Sequence, residues 1–506
     1  MVKLVIWDLD DTLWSGTLAD GDEIAVDAYR AGLVRALNAH GVLSSICSKN
    51  DYGKAKAKLV EHGLWDEFVF PHIAFTPKAA AVAAIIGDMQ LRACDVLFVD
   101  DNPINLNEVR FELPEVEVVD IREPAADSRL AGILQAQPAS RNRIAEYRIL
   151  ERKKQDRALT TGGTEHFLHS CEIKACAPFL MDNLDFAGRI AELINRSNQL
   201  NYTRSRVDPA ELEACIIDVV GYDSWSIFAW DRYGDYGLVG FVMVDRRTQE
   251  FGHFVFSCRA MHMGLEAYAL NKVREKWPEI DISRWEGRFS ATDPVWIEDC
   301  SFHDSEVRTR LVAAQVDGLA QSPVLRVMFD CQSGGIAHFS RHRRRIEFDN
   351  NPRLFALRSV HDQSHLEQSF PPVVVYGAGI DYSDPRWPGL AQWIDHGLYR
   401  DCVRRLCGFF VEQGIRALIV LPPDNAPEAM YRPQMNHTRE RTQRFNGEWR
   451  SAAAEWNGID IVDLSQADCT EMADVSHYRP GLLRELAETI DDWLDSVEAP
   501  ALGEAA

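Results

Sequence analysis

The sequence lacks most of what would place it in a specialised class. No stretch approaches the ~18 consecutive apolar residues that a bilayer-spanning helix needs, so no membrane partner is expected. The opening MVKLVIWDLDDTLW holds an apolar run of six residues at most before acidic residues intervene, and does not read as a signal peptide. The eleven cysteines form no CxxC pair and no His/Cys cluster at zinc spacing. That pattern fits free thiols in a reducing cytoplasm. Positive charge is scarce: 54 Lys+Arg against 77 Asp+Glu leave a formal net charge of -23, which repels nucleic acid and anionic membranes. The one basic cluster, Arg341–Arg345 (RHRRR), is short and reads as a solvated face. Internal repeats and low-complexity tracts are absent as well.

What is there is the composition of a globular protein, with 46% hydrophobic and 26% charged residues, and 506 residues predict two to four domains. Up to about residue 125, strand-like apolar runs alternate with amphipathic stretches, which predicts a parallel α/β sheet. Its strands are expected at Lys3–Trp7, Val42–Cys47, Glu67–Phe70, Val96–Val99 and Glu117–Val119. A charged stretch, Arg141–Arg157, reads as a connecting helix that ends in the turn TTGGT (Thr160–Thr164). The middle segment predicts helices at Asp182–Asn195 and Pro209–Val219, strands at Trp225–Trp230, Leu238–Asp245 and His253–Ser257, and a helix from Leu265. A second α/β alternation starts near 323, with strands at Leu325–Phe329, Val373–Tyr376, Ala417–Leu421 and Ile459–Val462. The expected division is 1–140, a linker 141–164, 165–310 and 323–499, with a disordered tail after Pro500.

The most informative residues come first. VIWDLDDTLW is a buried strand followed at once by Asp8-x-Asp10-x-Thr12, and a carboxylate at the carboxyl end of a parallel strand stands where open α/β sheets bind ligands. Two carboxylates two residues apart can face one metal once the strand bends into a loop. Ser48 in LSSICSKN, Lys78 in FTPKAAAV and Asp100-Asp101 in VLFVDD follow in order. This pattern resembles the haloacid dehalogenase (HAD) superfamily, and the resemblance implies a HAD Rossmann-like domain over 1–140 with a phosphatase function. It implies Asp8 as nucleophile, Asp10 as general acid and base, and Thr12, Ser48 and Lys78 as phosphate-binding groups. Asp8, Asp10, Asp100 and Asp101 are then the expected ligands of Mg²⁺, a hard ion that relieves the repulsion among carboxylates. The link between Asp20 and Arg30 is too short for a large cap, so an open site for a large or carrier-bound substrate is expected.

DLDDTLWSG, SICSKND, PHIAFTPK and FVDDNP, with NRSNQLNYTR, DRYGDYGLVG and FSCRAMHMGLE further on, are similar to the FkbH-like branch, class IIIC of the superfamily. Members load a glyceryl unit from 1,3-bisphosphoglycerate onto an acyl carrier protein in polyketide and related pathways, through an enzyme thiol. The resemblance implies a GNAT-like α+β middle domain over 165–310 that holds a pantetheine arm. There Cys258 ends a strand as the candidate acyl thiol, beside Arg259, which could favour the thiolate. A buried structural cysteine is the alternative. The branch commonly has GRG where this chain has His262-Met263-Gly264, which leaves the carrier or substrate open.

The last third resembles the SGNH/GDSL hydrolase fold. VLRVMFDCQSGG places Cys331 where that family has its serine, and ADVSHYRPG supplies Asp474 and His477 in its Asp-x-x-His spacing. The implied roles are Cys331 as nucleophile, His477 as its base and Asp474 as the group that fixes the imidazole tautomer. Ser333 is a competing nucleophile, and Gly377 or Gly379 could offer an oxyanion N–H. The leading expectation is an enzyme that dephosphorylates a phosphoglyceryl-type acyl group, holds it as a cysteine thioester and delivers it to an acyl carrier protein or further acceptor. The alternatives are a HAD phosphatase of a small sugar phosphate with structural appendages, and a non-catalytic carrier-docking module.

Overall fold

Leu4-Val5-Ile6-Trp7 is wholly apolar because it is buried on both faces. Val5 and Trp7 enter one hydrophobic core, Leu4 and Ile6 the other, the two-residue alternation of a central parallel strand. In the computed structural model this strand is the middle of a five-stranded sheet. The sheet order is His72–Ile73, Leu43–Ser48, Leu4–Trp7, Val96–Asp100 and Glu117–Asp120, parallel throughout. The structure describes residues 1–136, 139, 141–161, 163–285, 287–313, 323–350, 356, 358–361, 363, 366, 368–387, 389, 391 and 394–498. The expected disordered tail after Pro500 lies outside the described residues.

One expected strand is absent from its place. Glu67–Phe70 is no strand: Trp65–Glu67 forms a 3-10 turn, and Val69 reaches the sheet with its N–H bonding to the Ser44 carbonyl at 3.0 Å. Phe70 has φ 51°, a left-handed backbone that breaks the ladder, and pairing resumes over His72–Ile73. Between Trp14–Ser15 and Ala25–Val26 the chain makes a two-stranded hairpin, and no larger insertion stands in that span.

The middle segment builds a second sheet in the order Glu250–Phe256, Gly234–Asp245, Tyr222–Asp231, Ile173–Cys176, Ile297–Cys300. The expected helix over Asp182–Asn195 starts as a 3-10 turn, Leu180–Phe186, before the α-helix Ala187–Arg196. The third sheet is parallel, in the order Ile346–Asp349, Leu325–Met328, Val373–Gly377, Arg416–Leu421, Ile459–Asp463. The chain is therefore an α/β protein; among the described residues two five-stranded sheets are parallel, a third contains an antiparallel hairpin, and two short two-stranded ladders stand beside them.

Two compact units emerge: Met1–Ile173 with Trp230–Tyr236, and Lys174–Ala229 with Gly237–Ala506. Within the first, the tip of the DRYGDY hairpin is clasped by the helix Ile144–Leu159. Lys153 Nζ lies 2.7 Å from the fully buried Asp231 carboxylate, to which the Tyr236 hydroxyl also donates at 2.8 Å. Tyr233 donates to Asp156 at 2.9 Å. Gly234, at φ 156°, lies so close to Ile149 that a Cβ there would come within 2.5 Å of its Cδ1. Among the described residues no helix is long and apolar enough to cross a membrane.

Candidate active site

The central strand of the first sheet delivers Asp8, whose N–H bonds to the Val99 carbonyl of the neighbouring strand at 2.9 Å. Asp100 ends that neighbour, Asp101 follows it, and Ser48 ends the strand on the other side. Ligand oxygens of Asp8, Asp100 and Asp101 lie within 4.8 Å of one another. Lys78, the first residue of the helix Lys78–Asp88, is buried with its ammonium 2.7 Å from Asp8 and 3.0 Å from Asp100. It also donates to the Cys47 carbonyl at 2.7 Å.

Burial raises Asp8 above the ordinary carboxylate range against the pull of Lys78, and Asp100 adds to the rise. Asp101 is raised too, by burial first and by Asp100 next. Burial alone would lower Lys78, but Asp8 and Asp100 outweigh it and push the ammonium up to about 12. One fixed cation therefore faces three carboxylates. The donors are all hard oxygens, and their unbalanced negative charge fits a divalent ion such as Mg²⁺.

Asp10, expected as a fourth ligand, stands outside this cluster. Its Oδ1 accepts from the Trp14 indole at 2.8 Å and the Leu18 N–H at 3.2 Å, and its Oδ2 accepts from Asn50 at 3.0 Å. The left-handed Asp11, φ 48°, turns the loop so that Asp10 and Asp8 face different partners. Asn50 also donates to Ser48 Oγ at 3.0 Å, tying Asp10 to the serine through one amide. Thr12 Oγ1 is buried and has no hydrogen-bond partner among the described residues. Two further side chains escaped the sequence reading: Asn105, which donates to both Asp100 oxygens at 3.1 and 3.2 Å, and Lys49, which donates to Asn105 at 3.0 Å. Lys49 lies within SICSKND, and Asn105 stands two residues past the end of FVDDNP.

Cys258 stands half-buried just past the strand Glu250–Phe256, in the short turn Cys258–Ala260. Its Sγ lies 3.8 Å from Gln199 Oε1. Arg259 is buried, with its Nε donating to Ser257 Oγ at 3.1 Å, so its guanidinium is engaged beside the strand end. Gly264, φ 87°, opens the following helix and backs onto Trp296 and Pro294, each about 3 Å from where a Cβ would stand.

Beside the third sheet, Cys331 and His477 face one cavity, and Asp474 pairs with His477; the last two belong to a separate two-stranded ladder, Met472–Asp474 with His477–Tyr478. Cys331 and His477 line one cavity of about 260 Å³, with Gly377, Gly379, Arg386 and Arg432. His477 Nδ1 lies 3.0 Å from both Asp474 oxygens. Burial alone would raise Asp474; His477 and Arg432 outweigh it and hold that carboxyl well below the usual range. The Cys331 thiol is pushed up to about 11, by burial first and Asp474 next, with Arg432 opposing. Among the described residues no hydrogen bond joins Cys331 to His477. Asp330 holds the turn before Cys331 at φ 54° and pairs with Arg386. Gln332 clamps the backbone of Tyr478, accepting its N–H and donating to its carbonyl, both at 2.9 Å, which ties the cysteine turn to the histidine turn.

Ser333, the competing nucleophile, is buried outside this cavity. It accepts the Phe329 N–H at 2.7 Å and lies 2.6 Å from the Asp349 carbonyl, a structural cap. Gly377 lacks a side chain because Phe329 occupies its Cβ position, 2.6 Å away.

No protein-family model matches the sequence, and no curated protein matches it. Several solved structures share parts of it. The phosphatase-containing amino-terminal part of BF1531 from Bacteroides fragilis, described as complexed with Mg, is 24% identical over 28% of this chain, with a TM-score of 0.24. This chain spans 41% of that one. The 3-deoxy-D-manno-octulosonate 8-phosphate phosphatase of Moraxella catarrhalis is 17% identical, over 27% of this chain and 87% of its own, with a TM-score of 0.21. Est24, a carbohydrate acetylesterase from Sinorhizobium meliloti, is 12% identical, over 35% of this chain and all of its own, with a TM-score of 0.25.

Proposed function

We propose that Asp8 is the nucleophile of a Mg²⁺-dependent phosphoryl transfer, and that the chain couples this step to acyl transfer through a cysteine. The observation that carries the first part is the Lys78 ammonium held between Asp8 and Asp100, with Asp101 beside them. Asp8 Oδ attacks phosphorus, the leaving oxygen departs, and an aspartyl-phosphate results. Asp10 stands on the Ser48 side, where it protonates the leaving oxygen and then takes a proton from water. Lys78 orients Asp8 and offsets charge on the phosphoryl oxygens, while Ser48 and Thr12 supply hydroxyls to them. Asp8, Asp100 and Asp101 would hold a Mg²⁺, which would supply Lewis-acid stabilisation of the phosphoryl charge.

The second part rests on Cys331 and His477 lining one cavity, with Asp474 paired to His477. His477 takes the thiol proton, the thiolate attacks an acyl carbonyl and expels its leaving group, phosphate for an acyl phosphate; the thioester then passes its acyl group to an incoming nucleophile as the C–S bond breaks and the thiolate is regenerated. The substrate we favour is a phosphoglyceryl-type acyl group from 1,3-bisphosphoglycerate, with an acyl carrier protein as acceptor and Cys258 as a further thiol on the route. Intact-protein mass spectrometry after incubation with 1,3-bisphosphoglycerate, Mg²⁺ and a panel of carrier proteins tests it. A glyceryl adduct on a cysteine and on a carrier is expected. Phosphate release with neither adduct would leave a phosphatase and end the acyl-transfer reading.

A further inference from the structure

His477 Nδ1 has two suitors and one ring position. Asp474 can only accept from it; both carboxylate oxygens stand 3.0 Å away. Arg432 can only donate to it, and its Nη2 stands 2.5 Å away while the same nitrogen also pairs with Asp474. A guanidinium has no lone pair to offer, so the two contacts demand opposite protonation of Nδ1. When Nδ1 carries the proton and donates to Asp474, Nε2 has a free lone pair and can take the Cys331 proton. When Nδ1 accepts from Arg432, the proton sits on Nε2 and the ring cannot act as that base.

Arg432 is held firmly enough to choose. Its backbone N–H bonds to the His437 carbonyl at 2.9 Å, and its own carbonyl accepts the His437 N–H at 3.1 Å. The intervening turn is set by Pro433 and by Asn436 at φ 56°. The other charged groups around the couple are already committed or remote. Arg386 is paired with Asp330, and His437 is buried and pushed down to about 4, by burial first and by Arg432 next. Arg246 acts on Cys331 only through its charge.

We propose that Arg432 is a positioning residue that sets the tautomer of His477, holding the ring in the form that cannot deprotonate Cys331 until Arg432 is drawn away from Nδ1. Arg432 restrains the base. The inference rests on the reading of Cys331 and His477 as a couple. Once Arg432 is drawn aside, the ring proton exchanges through solvent from Nε2 to Nδ1, where Asp474 accepts its hydrogen bond; the thiol proton then moves from Sγ to the freed Nε2, giving a thiolate beside an imidazolium with no change in net charge. An anionic group on an acyl substrate is the kind of ligand that would draw a guanidinium aside.

The test is alkylation of Cys331 by iodoacetamide in the full-length chain, followed by peptide mass spectrometry across a pH series. The thiolate attacks the methylene carbon, iodide leaves, and the rate reads the thiolate population. Arg432→Gln is expected to raise the Cys331 rate near neutral pH about tenfold and to extend the reactive limb to lower pH. Arg432→Lys keeps the charge beside Asp474 without the planar fork, and is expected to shift the profile the same way by less. Melting curves of both variants report whether they fold, and the Lys variant carries the test if the Gln variant does not. An unchanged or slower profile in a folded variant would overturn the inference. Adding His477→Ala to Arg432→Gln separates the two layers: if the gain in Cys331 rate persists without the imidazole, the couple itself is rejected, whereas loss of that gain upholds it and leaves Arg432 to be judged by its own single variants.

Discussion

A buried ammonium between two carboxylates has a structural duty as well as a chemical one. Without Lys78, Asp8 and Asp100 would be left buried without their shared cation, and breaking such a buried pair costs about 3–5 kcal/mol. Lys78→Met is therefore expected to lower the melting temperature in chelator and to regain part of it with Mg²⁺, which replaces the lost charge. Phosphate release should still fall about a hundredfold or more, because the charge aimed at the phosphoryl oxygens is gone. Melting with and without Mg²⁺, beside a phosphate assay, reads both effects. A second residue-scale prediction concerns Asp381, which is fully buried and pushed up to about 7 by burial, against the bonds it accepts from Tyr376 at 2.7 Å and Ala356 N–H at 2.9 Å. The folded form holds a proton that the unfolded chain releases near its ordinary value of 3.8. Stability from this group is full below about pH 4 and falls as pH rises through about 7, since the unfolded state binds fewer protons in that window. Asp381→Asn should flatten this dependence and raise the melting temperature at pH 8; a wild-type profile in the variant would refute the assignment. At this scale Asp8, Lys78 and Asp100-Asp101 were legible because each sits at a strand end or helix start written in adjacent residues. The direction of Asp10 was not, since it depends on the left-handed Asp11 and on Asn50, 40 residues away. Arg432 was equally hidden, 42 residues before the Asp474 it binds.

Elements read well where burial is symmetric and poorly where it is interrupted. LVIW and VLFVD announce central strands by unbroken apolar runs, whereas Phe68-Val69-Phe70 has the composition of a strand but is broken by the backbone of Phe70. Ile346–Asp349 escaped notice because IEFD is short and alternates beside a run of arginines. The phrase DRYGDYGLVG carried a resemblance without a mechanism, and the structure supplies a local one: a hairpin tip whose Asp231, Tyr233 and Tyr236 grip the helix Ile144–Leu159. Lys153→Met would leave the buried Asp231 charge without its cation, held only by the Tyr236 hydroxyl and the N–H groups of Tyr233 and Gly234, and is expected to destabilise the first unit by about 3 kcal/mol. Gly234→Ala should also destabilise it, because the new methyl would meet Ile149 and the backbone conformation disfavours a side chain. Urea denaturation of both variants measures this, and wild-type midpoints would show that the clasp is incidental.

For the whole molecule, the two proposed chemistries draw on residues of different units, Asp8 with Asp100 and Asp101 in one and Cys331 with His477 in the other. Their first steps should be separable. Asp8→Asn is expected to leave the pH profile of Cys331 alkylation intact, and Cys331→Ala should abolish acyl transfer while hydrolysis of a simple aryl phosphate continues. Loss of both activities from either substitution would mean that the centres are not chemically independent. The central claim remains the role of Asp8, and phosphate release from acetyl phosphate by the full-length chain with Mg²⁺ tests it most directly, with phosphorylated protein followed by intact mass. Wild type should release phosphate and show a transient single phosphoryl adduct, and Asp8→Asn should show neither. Undiminished release by folded Asp8→Asn would contradict the account.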